Sequence, residues 1–474
     1  MQNRPIPALP WAPKAAAARN LEPKSGRSFQ KWGFYAAIGL VFVRCSLLQE
    51  MLTYELHFDT YLVYALGIVA VVAILASGDL KRLFQVRAAY YWVAYAAWMI
   101  LAVPFSIWKT NSFMLIMNYW RTNMVMLFAL GMFITTWKQF KILLRTLALS
   151  CVAMLLVIHF FSQMDSGGRM DLKFSLVANS NDYPAHLLVL MPALLWVGFA
   201  TKSFVIRLCS FGIFGYACYV VFASASRGAL IAVAVGILYY LISATNKQRV
   251  AALAVGAVIA LLMLKVLPPE TLQRLTNFST TDASSFSGAG SPNGAVESAD
   301  TRKKLLTDSI WLTLKNPVFG VGPGQFSVAE GTSQKRLWLQ THNSYTEASS
   351  ECGLPALIFL VGGIVCSFGI FRGAGREWRS DPQAREITQA AFCMKLMIVG
   401  FGTAIMFLNF AYLFHLPMIG GTSIAMTHSL HDWRRSAKQN PSRTPQRVGE
   451  VKSWARHRSS TRWVSPFRRL GLQG

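Results

Sequence analysis

Four side chains stand out for the chemistry they could do: Arg169, Arg227, Arg302 and His342. Arg227 sits in Ser224-Ala225-Ser226-Arg227-Gly228, a turn too short to let its side chain wander. A guanidinium offers a bidentate fork and cannot lose its charge, so a fixed arginine suits a phosphate; the bland alternative is an anchor that snorkels into lipid headgroups. Arg302 opens a stretch in which Arg302, Leu306, Ile310 and Leu314 recur every fourth residue, one side of an amphipathic helix expected to pack on the rest of the protein. Arg169 lies in Gly167-Gly168-Arg169-Met170, and a pair of these arginines could hold a pyrophosphate with no metal ion. His342 has Asn343, Tyr345, Glu347 and Glu351 close in sequence. An imidazole with an unperturbed pKa of about 6.5 could orient or deprotonate a hydroxyl. If that segment is helical, Asn343 and Glu347 lie one turn apart, and the carboxylate could steady that side of the site.

Other patterns promise less. Gly320, Gly322 and Gly324 suggest a phosphate loop only superficially: no Lys-Ser or Lys-Thr follows and no strand precedes, so the glycines are read as a sharp turn. His428 and His431 have no nearby Cys or acidic cluster, so no metal is expected. Arg44, Arg121 and Lys395 fall inside or near apolar stretches, where a charge is a functional hypothesis by default and snorkelling the alternative.

These residues need a scaffold, and the composition says which kind. Of 474 residues, 53% are hydrophobic and only 14% charged, against roughly one quarter charged in an average soluble protein. Stretches of about 20 mostly apolar residues, enough to cross a membrane, recur between Trp32 and His431. The chain therefore reads as an all-α polytopic membrane protein, with about 12 helices at 33–53, 60–77, 87–107, 113–136, 142–161, 183–200, 205–224, 228–244, 250–267, 353–371, 388–409 and 412–431. A net charge of +25 raises the question of nucleic acid, but a nucleic-acid binder clusters its cations on a folded soluble face, whereas these fall in tails and alternate loops. The seven cysteines form no C-x-x-C pair and read as small core residues.

Charge sets the orientation. Lys and Arg near short loops mark the cytoplasmic side, and one side collects the N-terminal tail, Lys81 with Arg82 and Arg87, Lys138 with Lys141 and Arg145, Lys202 with Arg207, Lys247 with Arg249, the group from Arg372 to Arg385, and the C-terminal tail. Both termini are then cytoplasmic. No apolar run precedes Trp32, so the first membrane helix is expected to do the targeting. The expected organisation is a tail at 1–32, nine helices in 33–267, an outer loop at 268–352, three helices in 353–431, and a basic tail at 432–474 that carries eleven Lys or Arg and would lie near anionic lipid. Within the loop, 279–298 is rich in Ser, Thr, Gly and Ala and reads as a flexible insert. Asn316-Pro317 then stops the amphipathic helix.

Ser226-Arg227-Gly228, Arg302 with Asn316-Pro317 and Gly320-Val321-Gly322-Pro323-Gly324, then His342-Asn343-Ser344-Tyr345 and Glu351-Cys352-Gly353-Leu354, come in an order that resembles the bacterial O-antigen ligase and O-antigen polymerase superfamily. Ala178-Asn179-Ser180-Asn181-Asp182, before a helix containing Pro192, is similar to that family's Asn-containing segment, and the resemblance covers roughly 160–430. It implies a GT-C-like glycosyltransferase of the inner membrane. That enzyme would move a glycan, with inversion and without metal or cofactor, from undecaprenyl diphosphate to an acceptor at the periplasmic face. Arg227 and Arg302, with Arg169, would bind the diphosphate, His342 would position or activate the acceptor, and Asn181, Asn343 and Glu347 would support them. The acceptor would be lipid A-core for a ligase, or a growing glycan for a polymerase of O-antigen or exopolysaccharide. Departures from the family pattern are Cys352, Pro355 and the insert at 279–298. A secondary transporter, the reading from another class, would favour internal repeats around a midplane site, and the two halves display no convincing repeat.

Overall fold

The computed structural model describes residues 27–78, 80–164, 170–172, 174, 179–267, 269, 271, 292–334 and 339–439. Arg169, most of the insert at 279–298 and the tails at 1–26 and 440–474 lie outside the described residues. The chain divides into a compact unit, Met1–Trp433, and a second, Arg434–Gly474.

The main unit is built almost wholly of helices: α1 (Arg27–Ser46), α2 (Leu48–Leu56), α3 (Leu62–Ser77), α4 (Leu80–Leu83), α5 (Arg87–Ala102), α6 (Lys109–Asn118), α7 (Val125–Phe133), α8 (Trp137–Phe161), α9 (Asp182–Ala200), α10 (Phe204–Ala223), α11 (Arg227–Ser243), α12 (Asn246–Val266), α13 (Pro292–Lys315), α14 (Phe326–Gln334), α15 (Ser344–Glu377), α16 (Arg385–Ala404) and α17 (His415–Gln439). A two-stranded antiparallel hairpin, β1 (Ser162–Met164) with β2 (Met170–Leu172), follows α8. Among the described residues six helices are long and apolar enough to cross a membrane, and the pair α1–α2, bent by 64°, makes a seventh if it counts as one span. The protein is thus an all-α, multi-pass membrane protein. Helix starts follow side-chain chemistry. Thr136 caps α8 in a reciprocal box with Gln139, while Ser203 and Ser226 accept the orphan N–H groups of α10 and α11. α9 is buried on nearly every side, as a helix apolar all round must be, and packs against α8, α10 and α16.

Breaks in the helices matter more than their number. The expected helix at 33–53 bends at Leu47, which takes φ 59, and the one at 113–136 contains a π-helical turn, Tyr119–Met124. Between α16 and α17 the chain is irregular over 405–414. α15 kinks at Gly353, where φ 81 and ψ 173 define a conformation open essentially to glycine alone. A Cβ there would run into the Val318 carbonyl oxygen.

That kink receives the loop at 316–326 edge-on. Leu354 N donates to Pro317 O (2.7 Å), Val321 N to Ser350 O (2.9 Å), Gly322 N to Glu351 O (2.9 Å), and Trp98 Nε1 to Cys352 O (2.9 Å). Gly320, Gly322 and Gly324 all have positive φ and make the turn that brings the loop this close. The Glu351 carboxylate, 4% exposed, locks the arrangement. Its Oε2 accepts from Gly324 N (2.7 Å) and the Tyr412 hydroxyl (2.5 Å), and its Oε1 from Phe326 N (3.0 Å).

α13 packs on a different face from the one its spacing suggested. The buried residues are Leu305, Ser309 and Thr313, with Thr313 Oγ1 2.9 Å from Ser349 Oγ, whereas Ile310, Trp311 and Leu314 are exposed. The start of α15 offers a small, hydroxyl-rich surface, Ala348-Ser349-Ser350, and accepts a matching one. Small side chains on both helices let the backbones approach closely, so the apolar row alone did not identify the packed side.

Gly353→Ala is expected to lower the thermal midpoint of the purified protein, since positive-φ strain alone costs about 1–3 kcal/mol. Gly369→Ala, in the same helix with nothing near its would-be Cβ, is expected to leave it unchanged. Glu351→Gln keeps the shape but turns an amide donor toward an N–H or O–H donor, at a cost of about 1–3 kcal/mol. Equal midpoints for Glu351→Gln and the wild type would contradict the role given to the carboxylate.

Candidate functional site

A narrow, shallow recess lies where the starts of α9 and α11 meet α13 and the end of α16. Its lining includes Asn181 and Ala185 from the first, Ser226 and Gly228 from the second, Arg302 from α13, and Ala404, Phe407 and Leu408.

Each element is held there by local chemistry. Asn179 Oδ1 accepts from Asn181 N (3.0 Å) and Asn181 Nδ2 (3.1 Å), while Ser180 N donates to Asp171 Oδ1 (2.7 Å) of β2. The segment before α9 is therefore a fixed turn. At α11, Ser224 Oγ donates to Val221 O (2.7 Å) and accepts from Ser226 N (3.2 Å), Ala225 takes φ 50, and Ser226 Oγ accepts from Ala229 N (3.4 Å). Arg227 is the first residue of α11, with recess-lining residues on both sides. Gly228 is needed because a Cβ would stand 2.9 Å from the Phe407 Cβ. The helix N-terminus and Arg227 thus approach 405–414 at a distance a larger residue would prevent, and both carry positive character.

His342 lies just before α15 in a left-handed backbone conformation, φ 49. It stands outside the recess lining but close enough to Arg302 to feel its charge. Burial, and then the Arg302 cation, push the imidazole pKa below its ordinary 6.5. The ring is therefore neutral near pH 7 and keeps a lone pair able to accept a proton.

Asn343 and Glu347 point into the scaffold. Asn343 Oδ1 caps α15 by accepting from Tyr345 N (2.9 Å) and Thr346 N (3.2 Å). Glu347 Oε2 accepts from Ala411 N (3.1 Å), and Ser344 Oγ donates to Leu408 O (2.7 Å) and accepts from Phe410 N (2.7 Å). The residues around His342 thereby hold 405–414 in place. Arg302 and Asn181 come together in the recess, Arg227 stands at its edge, and His342 joins through Arg302; Arg169 is outside the described residues.

Sequence reasoning missed Phe407 and Tyr412, for which no local pattern exists, and a buried histidine pair behind the recess. His186 Nε2 lies 3.0 Å from Cys45 O and His186 Nδ1 lies 2.6 Å from His415 Nε2. With Nε2 donating to the carbonyl, neutral His186 must accept through Nδ1, and His415 donates. The only sequence signal was a histidine inside each of two apolar stretches.

No curated protein matches the chain. A family model described as O-antigen ligase matches residues 211–361, which run from within α10 through the kink of α15 and contain Arg227, Arg302, His342, Glu351 and Gly353. That segment, about a third of the chain, is thus similar to an O-antigen ligase domain.

Proposed function

We propose that the protein transfers a glycan from an undecaprenyl-diphosphate carrier to an acceptor hydroxyl at the periplasmic face of the inner membrane, with the ligase reaction onto lipid A-core as the leading reading. The observation that carries it is the pairing of a neutral, half-buried His342 with Arg302 at a recess bounded by Asn181 and the start of α11. In this reading twelve spans place both termini in the cytoplasm and the recess outside. The acceptor oxygen attacks the anomeric carbon as the bond to the diphosphate oxygen breaks, with inversion. The acceptor proton passes to His342, and the charge left on the diphosphate is met by Arg302, Arg227 and, beyond the described residues, Arg169. Preorganised cations in a partly dehydrated site stabilise such a developing charge. Asn181 borders the same space and offers an amide to the sugar or phosphate, while Asn343 and Glu347 keep the wall at 405–414 rigid.

Polymerase chemistry needs the same donor site, so the acceptor alone separates the readings. In a gene-deletion strain, accumulation of long carrier-linked chains is expected if the protein is a ligase, and of single repeats if it is a polymerase. Complementation with Arg227→Ala or Arg302→Ala should leave the accumulation in place at normal protein levels, with transfer lowered about 10²–10³-fold. His342→Ala should lower it about 10²–10⁴-fold. Unchanged carrier-linked glycans on deletion would reject both readings and favour a transporter.

The pH profile gives a second check. A lowered pKa means that His342 is protonated, and inactive as a base, only below pH 6.5; kcat/KM should be level near neutral pH and fall on acidification. A bound diphosphate offsets the Arg302 charge and raises that pKa. The acid limb of kcat should therefore lie at higher pH than that of kcat/KM. Coincident limbs, or limbs that survive in His342→Gln, would remove His342 as the base.

A further inference from the structure

One side of α13 changes character along its length. Lys303, Thr307, Trp311 and Leu314 are all exposed, and the helical repeat brings them together on the side away from the buried Leu305, Ser309 and Thr313, with Ile310 at the edge. The row begins polar and ends apolar. Trp311 is 57% and Leu314 63% exposed, and contiguous apolar surface of this kind marks a contact with lipid or with a partner.

What adjoins the apolar end decides which. The membrane span α15 exposes Leu354, Ile358, Val361 and Val365 as one row along its outer side. That row starts at the residue whose N–H is bonded to Pro317 O (2.7 Å), two residues past the end of α13. A second span, α5, exposes Ile100 and Leu101 and, just beyond its end, Phe105, whose ring stacks on Phe319 at 4.0 Å. Val318, between Pro317 and Phe319, is exposed too. One apolar surface therefore runs from the outer sides of two spans, through 317–319, onto the last turns of α13. The outer side of a span is covered by lipid chains, and a surface continuous with it is covered in the same way. Residue types agree with that level: Trp311 carries the Lys315 ammonium 5.3 Å from its ring, and tryptophan and lysine are the side chains that anchor where bilayer meets water.

We propose that α13 enters the lipid monolayer at an angle, with Ile310, Trp311 and Leu314 among the acyl chains and Arg302, Lys303 and Lys304 at the level of the headgroup phosphates. Leu314 lies twelve residues beyond Arg302, about 18 Å along the helix axis. The inserted end thus sets the depth at which Arg302 and the recess stand in the membrane surface. This placement goes beyond the transfer reading and holds whatever reaction the recess supports.

The test places a photoreactive diazirine amino acid singly at 303, 307, 311 and 314 of the full-length protein, in vesicles of phosphatidylethanolamine and phosphatidylglycerol, and identifies the adducts by mass spectrometry after irradiation. All four positions share the exposed side, so depth alone separates them. Adducts on phospholipid acyl chains are expected at 311 and 314 and are expected to be lost at 303 and 307. If 311 does not accept the label, 310 carries the same expectation. Equal acyl-chain adducts at all four positions overturn the angled insertion, and reaction with water at all four overturns the contact with lipid. Crosslinks at 311 and 314 to a second copy of the chain overturn it as well and identify a dimer interface instead. Transfer is not measured, so rejection of the proposed reaction leaves this result standing.

Discussion

A buried carboxylate needs donors on both oxygens or it does not stay buried as an anion. The Glu351 carboxylate finds them in the backbone of Gly324 and Phe326 and in the Tyr412 hydroxyl, donors that come from the loop leading into α14 and from the irregular segment 405–414. One segment follows α13, which carries Arg302; the other contains Phe407 and Leu408, which wall the recess. Because the cap of α15, Asn343, directly follows His342, this one side chain indexes the cation, the imidazole and the wall against each other. The kink at Gly353 is its geometric partner. Without the turn in α15 the loop at 316–326 could not lie against the helix backbone, and Glu351 would face a gap instead of two N–H groups.

The same logic accounts for the packing of α13. In a soluble protein the Leu306–Ile310–Leu314 row would be the buried one, because water drives apolar groups together. Here the face that carries small hydroxyl side chains is packed instead, with Thr313 Oγ1 against Ser349 Oγ. The exposed side, Ile310, Trp311 and Leu314, with the Lys315 ammonium 5.3 Å from the Trp311 ring, has the amphipathic character of residues that sit at a membrane surface.

Much of the helical framework was legible because the bilayer demands long apolar segments and hydrogen-bonded backbone. Each apolar stretch named from the sequence overlaps a described helix. The breaks were not legible. Leu47, the π-helical turn and 405–414 depend on partners far along the chain: Asn123 Nδ2 donates to Tyr412 O (2.9 Å), and Ser344 supports Leu408 and Phe410. No local propensity encodes those. At the site, Arg227 could be singled out because charge is unexpected where it falls, and Arg302 from its place on an amphipathic row, whereas Tyr412 and Phe407 have side chains common in any apolar stretch. Asn343 was legible as a neighbour of His342 but not as a helix cap, since its role depends on where α15 begins.

The intramembrane cations show why position along the sequence could not sort them. Lys395, in α16, places its ammonium 5.8 Å from the Tyr239 ring and 5.9 Å from the Phe392 ring. Aromatic faces stabilise a cation without supplying a negative charge or a fixed direction, and a flexible stem lets the head move toward water. Arg44 and Arg121 also meet aromatic faces, Phe414 at 5.6 Å and Tyr64 at 4.9 Å, but are held by hydrogen bonds as well. Tyr64, Asn118 and Asn123 engage their N–H groups directionally, and backbone breaks on either side fix the chain that carries them. A neutral amide or hydroxyl orients a guanidinium but does not cancel its charge. Carboxylates set back from the guanidinium do that: Glu50 acts on Arg44, and Asp59 stands near Glu50.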